Sequence, residues 1–312
     1  MSKPVIAIDM GGTKIKIGIV QGNTVLSSDS IDADSGSGLR KRLHFIQKAV
    51  EDLLDREGIS LAEITGLGMA SPGIIDSIQK KILSIDKKFG DAPGIHLEEW
   101  CLQTFNLPFS IENDARSALW GEWKYGKAKN FDSAVIMTLG TGIGSAAIMD
   151  RQLLRGKHFT AGILGGHSVI NYKGIHCNCG NKGCVETEAS TWNLTSIARS
   201  DKNFAESPLA HAPAIDYELI FNLAQEGDAV ALHIREQSVQ VWSACAINLI
   251  HAYDPEILVL TGGIMASSSQ IVPYIRKHIE THAWTPWGKV SIEEGEFPDT
   301  AALLGIAHLV SN

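Results

Sequence analysis

Four residues with nitrogen or sulfur donor atoms lie close together near the middle of this sequence. They are His167, Cys177, Cys179 and Cys184, spaced H-x9-C-x-C-x4-C in a segment rich in Gly and Asn. Four N/S donors suit tetrahedral Zn²⁺, and a metal with four protein ligands has no open position for catalysis. A redox centre fits less well because there is no C-x-x-C motif. We predict a structural zinc site, with buried hydrophobic cysteines as the alternative.

A glycine-rich segment near the start, DMGGTK (residues 9–14), could bind phosphate. Asp9 would help to hold Mg²⁺ through water, while backbone N–H groups and the Thr13 hydroxyl would contact the phosphates of ATP. An ordinary hairpin turn would explain the same glycines. The nucleotide contacts predicted here are Asp9, Gly11, Gly12, Thr13 and Lys14.

The segment LGTGIG (139–144) repeats this pattern in the second half of the chain. Each glycine turn joins two strands, 5–8 to 14–20 and 133–138 to 143–149, unlike the strand-to-helix loops of Rossmann and Walker motifs. The glycines at positions 11, 12, 140, 142 and 144 are expected because a Cβ would block either the required φ or the approach of phosphate oxygens. The repeat predicts a duplicated α/β unit that binds a nucleotide through Gly140, Thr141 and Gly142.

Three shorter motifs carry further polar groups. In IENDARSALWGEW (111–123), Asn113 or Asp114 could cap a helix, or Asp114 could take a proton from a substrate hydroxyl. From spacing alone the cap is favoured. GMASPGIID (68–76) predicts a strand and a Pro-Gly turn, and TGGI (261–264) could meet an adenosine or simply turn the chain.

The elements that position these groups can be read from periodicity. Apolar residues from Leu39 to Leu54 mark one face of a helix that Gly58 closes. A long helix is predicted from about Asp228 to Tyr253, because Pro255 cannot continue it. The domain boundary is expected near the helix that starts at Asn113, with the last helix folding back onto the first half.

The composition limits the classes of function. The chain has 312 residues, enough for two domains, with 20% charged and 44% hydrophobic residues. Its formal net charge is −8 and no block of Lys or Arg occurs, which argues against a nucleic-acid partner. No apolar run approaches a membrane-spanning length or a signal-peptide core, so a cytoplasmic protein without a membrane partner is expected.

Taken together, the motifs resemble those of the ROK family (repressors, ORFs and sugar kinases) of the actin-like ATPase superfamily. The matching segments are IDMGGTKIKIGIV, GMASPGIID, IENDARSALWGEW, TLGTGIGSAAI, GGH with CNCGNKGCVE, ILVLTGGI and LLGIAHLV. The resemblance implies a two-domain α/β fold of the actin-like ATPase type, a duplicated ribonuclease H-like unit with an interdomain cleft. The expected domains are 1–115 plus 299–312, and 116–298 with the zinc loop.

The resemblance also implies roles for individual residues. Asp114 would be the catalytic base on a sugar hydroxyl, and Gly262 and Gly263 would contact the nucleotide. His167 would be both a zinc ligand and a sugar contact. The implied sugar contacts are Ser71, Pro72, Gly73, Asn113, His167 and Glu186. The implied cofactors are ATP, Mg²⁺ and structural Zn²⁺, and the implied assembly is a homodimer or larger.

One position departs from the family pattern G-E-x-G-H. Here ILGGH places Leu164 where the family has a Glu that contacts hydroxyls near the anomeric end of the sugar. Losing a hydrogen bond to a charged group costs about 1.5–3 kcal/mol. Either another side chain replaces the Glu, or the preferred sugar differs at that end, for example at its 2-substituent.

Three functions follow from these patterns. The first is an ATP-dependent kinase acting on a hydroxyl, O6 by preference, of a hexose such as glucose or of an N-acetylhexosamine. The second is a sugar-responsive regulator, disfavoured because the first hairpin starts at residue 5 and no basic recognition helix precedes it. The third is a catalytically impaired sugar-binding protein, suggested only by Leu164.

Overall fold

The computed structural model describes residues 3–311, which fall into two compact units. The first unit runs up to Asn130 and also includes Leu153–Ala161 and the chain from Asp299 onward. The second comprises Phe131–Gln152 and Gly162–Pro298. None of the described helices is long and apolar enough to cross a membrane.

The described residues form strands and helices throughout both units. The strands are β1 (Val5–Met10), β2 (Lys14–Gln21), β3 (Thr24–Asp32), β4 (Leu67–Ser71), β5 (Ile74–Asp76), β6 (Lys81–Ser84), β7 (Phe109–Asn113), β8 (Ala134–Leu139), β9 (Ile143–Met149), β10 (Gln152–Leu153), β11 (Ile257–Thr261) and β12 (Ser291–Glu294). The α-helices are α1 (Leu39–Glu57), α2 (Leu97–Phe105), α3 (Asp114–Tyr125), α4 (Val185–Ala189), α5 (Thr191–Ser200), α6 (Tyr217–Gln225), α7 (Ala229–Tyr253), α8 (Ser268–His282) and α9 (Ala301–Ser311).

Each unit contains a five-stranded mixed sheet, and the two sheets have equivalent strand orders. The first is ordered β3-β2-β1-β4-β7 and the second β10-β9-β8-β11-β12. In both, the first strand pairs with the second in an antiparallel hairpin and with the fourth in parallel. This equivalence confirms the duplication that the two glycine turns predict.

The predicted helices form where their sequence signals lie. α1 buries Leu39, Leu43 and Leu53 and ends at Gly58, whose φ is 64°. A glycine in this left-handed conformation is a common helix terminator. α7 begins after Asp228, whose side chain accepts a hydrogen bond from the N–H of Ala231, and it ends at Tyr253 before the left-handed Asp254.

The boundary between the units differs from the one expected after residue 115. α3 belongs to the first unit because it packs backbone to backbone against α9. A methyl group added at Gly121 would lie 2.2 Å from the carbonyl oxygen of Ala301, and one added at Gly305 would lie 1.8 Å from that of Ser117. Contact this close is open only to glycine.

Leu153–Ala161 also joins the first unit, a feature that the local sequence did not predict. The fully buried guanidinium of Arg116 donates hydrogen bonds to the carbonyls of Leu154, Phe159 and Ala161, at 2.8 to 3.0 Å. Arg155 Nε donates to Glu112 Oε2 at 2.8 Å. These hydrogen bonds hold this segment against β7 and α3.

Candidate active site and zinc cluster

In the first unit, polar residues gather where three adjacent parallel strands end. Asp9 pairs with Ala70 across β1 and β4, and Ser71 pairs with Asn113 across β4 and β7. Ligands of open α/β sheets bind beyond the carboxyl ends of the strands. Asp9, Ser71 and Asn113 therefore lie together at the carboxyl ends of these three strands, as a shared site requires.

Asn113 caps α3 and also contacts the neighbouring predicted residues. Its Oδ1 accepts a hydrogen bond from the N–H of Arg116 at 3.1 Å, which confirms the capping interpretation. Its Nδ2 donates to the carbonyl of Gly73 at 3.1 Å and to Asp114 Oδ1 at 3.0 Å. Asp114 Oδ1 also accepts from the N–H of Ala115 at 2.8 Å. The Pro-Gly turn, the cap and the proposed base thus form one hydrogen-bonded group.

Both carboxyl groups at this sheet edge have raised pKa values. Burial raises the pKa of Asp114, although the hydrogen bond from Ala115 and the positive charge of Lys88 oppose this rise. Burial also raises the pKa of Asp9 to about 7, the nearby Asp114 carboxylate adds to the rise, and Lys16 opposes it. Two interacting carboxylates with raised pKa values are typical of acid–base chemistry and of divalent-cation sites.

The first glycine turn leaves several groups available to a ligand. Thr13 and Lys14 are exposed, and Gly11 and Gly12 are half-buried. Lys88, which the sequence did not single out, lies over this turn: a methyl group at Gly12 would be 2.8 Å from its Nζ. No local pattern marks Lys88, since it lies in an irregular loop far along the chain.

Of the two reasons expected for the glycines of these turns, a special φ angle and close approach, the first does not apply. Gly11, Gly12, Gly140, Gly142 and Gly144 are absent from the described glycines with positive φ. A methyl group at Gly11 would meet a backbone oxygen at 2.6 Å. At Gly140 the nearest atom outside its chain neighbours would be 3.9 Å away, which leaves room for a ligand there.

In the second unit, the second glycine turn borders a cavity of about 240 Å³. The turn follows β8 and the TGGI motif follows β11, its parallel neighbour. Gly262 has a φ of 101° and a methyl group there would lie 2.4 Å from the Leu139 carbonyl, so glycine is required. Lining residues include Gly140, Thr141, Thr191, Tyr217, Gly263 and Ser267. Thr191, Tyr217 and Ser267 were not predicted, because only tertiary packing brings their helices here.

Glu186 makes a contact that its sequence position does not reveal. Its Oε2 accepts a hydrogen bond from the N–H of Ile143 at 3.0 Å, and a methyl group at Gly142 would lie 2.5 Å from the same oxygen. The carboxylate therefore lies against the second glycine turn. Glu186 connects the helix that follows the cysteine loop to the predicted phosphate-binding turn.

The four predicted metal ligands converge in the second unit. Their donor atoms all lie within 4.8 Å of one another. Nδ1 of His167 is 3.6 Å from Sγ of Cys177, and the Sγ atoms of Cys179 and Cys184 are 3.7 Å apart. Tetrahedral Zn²⁺ with Zn–S bonds of about 2.3 Å places its sulfur ligands about 3.8 Å apart. The donor set and its spacing therefore fit zinc.

The protonation of Cys177 also suits a metal ligand. Burial raises the pKa of its thiol, but hydrogen bonds from neighbouring groups, His167 among them, outweigh this and bring the pKa down to about 7. A thiolate is the form that binds zinc. Because Nδ1 of His167 faces the sulfurs, its Nε2 is left outside the cluster.

Tight backbone packing shapes the segments that carry these ligands. Gly183 has a φ of 62°, and a methyl group there would lie 1.6 Å from the carbonyl oxygen of Asn171. A methyl group added at Gly166 would lie 1.9 Å from the carbonyl oxygen of Ile143. Residues Gly165–His167 form a short 3-10 turn, and Leu164, just before it, is 45% exposed. The turn thus holds His167 against β9 and leaves the Leu164 side chain accessible.

Comparison with known proteins identifies relatives along the whole chain. The model of the ROK family matches residues 5–312. A glucokinase from Thermotoga maritima is 27% identical over 98% of this chain and 96% of its own length. A crystal structure of a ROK family glucokinase from Streptomyces griseus, in complex with glucose and AMPPNP, has a TM-score of 0.83 at 26% identity and covers 98% of both chains.

A relative of a different functional class also matches. A xylose repressor from Bacillus subtilis is 27% identical over 79% of this chain, but the match covers only 61% of the repressor. The two equivalent sheets and the structural similarity establish the two-domain α/β fold of the actin-like ATPase type. The similarity in sequence therefore extends to both enzymes and regulators, and the site must decide between them.

Proposed function

We propose that this chain, which belongs to the ROK family, is an ATP-dependent sugar kinase. The observation that carries the proposal is the half-buried carboxyl of Asp114, which has a raised pKa, is oriented by Asn113 and acts electrostatically on Asp9. A kinase needs a carboxylate at its acceptor hydroxyl and little other covalent chemistry. The similarity to glucokinases supports the same function.

We assign to Asp114 the role of the base that accepts the proton of the acceptor hydroxyl. The hydroxyl oxygen forms a bond to the γ-phosphorus as the bond to ADP breaks, and its proton passes to the carboxylate. A raised pKa makes Asp114 a stronger base than an ordinary carboxylate near neutral pH. The N–H of Ala115 and the amide of Asn113 hold one carboxylate oxygen, so the other is left to face the sugar.

The nucleotide is assigned to the two glycine turns and the cavity of the second unit. Gly140 leaves open space at its α-carbon, and Gly263 and Thr141 line the same cavity. Backbone N–H groups of such turns bind phosphate without a net positive charge. Mg²⁺ would neutralise phosphate charge when bound, and Asp9 offers the carboxylate oxygen that this ion prefers.

As candidate sugar contacts we propose Ser71–Gly73 and Asn113 of the first unit. His167 and Glu186 of the second unit are proposed independently as further candidates. The accessible Leu164 accepts no hydrogen bond, so it favours a sugar that does not need a carboxylate near its anomeric end. A hexose phosphorylated at O6 and an N-acetylhexosamine are the two acceptor classes proposed. Glu186 can serve a sugar with Oε1 while its Oε2 stays on the glycine turn.

The second candidate is a sugar-binding regulator without kinase activity. It is supported by the similarity to a xylose repressor and by Leu164 at the sugar site. Against it stand Asp9 and Asp114, whose raised pKa values imply a cost in stability that a binding protein would have no need to keep.

The test is a coupled ADP-release assay with Mg-ATP and a panel of hexoses and N-acetylhexosamines. Asp114→Asn keeps the size of the side chain and removes the base, so we expect a loss of about 10²–10⁴-fold in kcat for the active sugar. Asp52→Asn, on the exposed face of α1, is the matched control and should keep full activity. If no sugar is phosphorylated while sugars still raise the Tm, the proposal of a sugar-binding regulator replaces that of a kinase.

A further inference from the structure

Lys88 places a positive charge on the first glycine turn. A methyl group added at Gly12 would lie 2.7 Å from Cε of Lys88 and 2.8 Å from its Nζ. Lys88 is half-buried, whereas Lys14, in the turn itself, is exposed. The ammonium group is therefore held directly over backbone that is expected to contact phosphate.

The same ammonium group acts on the carboxylate assigned as the base. The charge of Lys88 lowers the pKa of Asp114, opposing the larger effect of burial. Yet in the described part of the chain Lys88 forms no salt bridge within 4 Å. A half-buried ammonium group without a close anionic partner in the protein is available to an anionic ligand.

The backbone around Lys88 is strained, and the core holds it in place. Both of its neighbours, Lys87 and Phe89, have left-handed φ angles, 53° and 46°. The left-handed conformation is unfavourable for residues other than glycine, and strain of this kind gathers at functional sites. Phe89 is fully buried, its N–H donates to the carbonyl of Ser35 at 2.7 Å, and the Ser35 hydroxyl donates to the carbonyl of Gly12 at 3.1 Å. One short chain of contacts thus ties the Lys88 loop to the turn beneath it.

We propose that Lys88 binds the phosphoryl group that is transferred, the γ-phosphate of the donor. This inference rests on the proposed kinase function and adds a residue to it. Lys88 would neutralise charge on the oxygens of the γ-phosphate while its bond to ADP breaks and the bond to the sugar oxygen forms. Lys88 lies over Gly12 and its charge acts on Asp114, which fits this role because the phosphoryl group moves from the donor to the sugar oxygen that the base contacts.

The test compares two nucleotides that differ by the γ-phosphate. Calorimetry would measure the Kd values of Mg-ADP and Mg-AMPPNP for the wild type, Lys88→Met, Lys88→Arg and Lys81→Met. Lys81 is an exposed lysine of β6 and serves as the control for the loss of one charge. We expect Lys88→Met to raise the Kd of Mg-AMPPNP by about tenfold or more, as the loss of a charged hydrogen bond predicts. ADP binding should change less than about twofold, and Lys88→Arg should recover most of the AMPPNP affinity.

Steady-state kinetics provide the second readout. Lys88→Met should lower kcat by about 10²–10³-fold, as the removal of a charge-stabilising group does, and leave the KM for the sugar unchanged. An equal rise in the Kd values of ADP and AMPPNP would show that Lys88 only stabilises the conformation of its own loop, and would overturn the inference. An unchanged AMPPNP affinity with a raised sugar KM would overturn it in favour of a sugar contact. A wild type that binds neither nucleotide would instead refute the kinase function itself.

Discussion

At the scale of single residues, ionisation of the carboxyls of Asp9 and Asp114 is expected to lower the stability of the folded protein. Burial raises the pKa of both, and the Asp114 carboxylate makes the ionisation of Asp9 harder still. A structure selected for stability alone would place amides or apolar groups at these positions. The energetic cost should therefore be measurable as a dependence of stability on pH.

Asp9→Asn is expected to stabilise the protein at pH 8 but not at pH 4. The pKa of Asp9 is about 7 in the folded protein, against 3.8 for an ordinary aspartate side chain. As pH rises through this window, the unfolded chain ionises first, so the wild type loses stability that the Asn variant keeps. The neighbours that act on this carboxyl are Asp114, which raises its pKa, and Lys16, which lowers it.

Thermal unfolding without added Mg²⁺ is the measurement. Each pKa unit corresponds to about 1.4 kcal/mol, and each kcal/mol to about 2–4 °C in Tm for a protein of this size class. The Tm difference between variant and wild type should grow from pH 4 to pH 7 and then level off. A difference that stays constant over this range would contradict the raised pKa.

At the scale of elements, the position of Asp114 depends on how α3 packs against α9. The two helices approach through Gly121 and Gly305, so that backbone meets backbone. Tyr125 and His308 add a polar contact at 3.2 Å further along the same pair. Because Asp114 is the first residue of α3, any shift of this helix moves the proposed base.

Gly305→Ala should therefore lower both stability and activity. The added methyl group would lie 1.8 Å from the carbonyl oxygen of Ser117, and backbone on both sides must move to admit it. Such overpacking costs about 1–3 kcal/mol, and a 1 Å displacement of a catalytic group can lower kcat by about 10²-fold. Tm and kcat of the variant would be measured together.

Gly94→Ala is the control for this substitution. Gly94 is exposed in a short 3-10 helix, and a methyl group there would meet nothing within 4 Å. Its Tm should stay close to that of the wild type, since surface changes of this kind are usually within about 0.5 kcal/mol. If Gly305→Ala behaved like this control, the close packing of α3 on α9 would be wrong.

At the scale of the whole molecule, the zinc cluster should add to the folding free energy. A metal that binds only the folded chain at a hundredfold excess over its Kd contributes about 2.7 kcal/mol. The four donors come from a 3-10 turn and the loop before α4, a region with little regular structure of its own. Metal binding is thus expected to stabilise the part of the second unit that carries His167 and Glu186.

Elemental analysis is expected to find about one zinc ion per chain, as the four-donor cluster predicts. Cys179→Ser should lose the metal and lower the Tm by about 5–10 °C. His176→Ala is the matched control, because His176 is an exposed neighbour of Cys177 and lies outside the cluster. Full zinc content in Cys179→Ser, or its loss in His176→Ala, would contradict the assigned ligands.

Much of this protein is determined locally by its sequence. The alternation of residues 14–20, the repeated glycine turns and the left-handed stops at Gly58 and Asp254 act within a few residues. The candidate zinc ligands fall in the same class, since three of the four lie within one short loop. Local propensity and spacing suffice for such features, and the elements form where these signals predict them.

Other features exist only because distant segments meet. Lys88 lies over Gly12, Glu186 contacts Gly142, and α3 joins the first unit through α9, yet no pattern near these residues indicates their partners. These contacts depend on the packing of side chains and backbone in three dimensions, and glycine permits several of them by leaving space for its neighbour. The sequence thus determined which chemical groups this protein has, and the tertiary structure decided which of them act together.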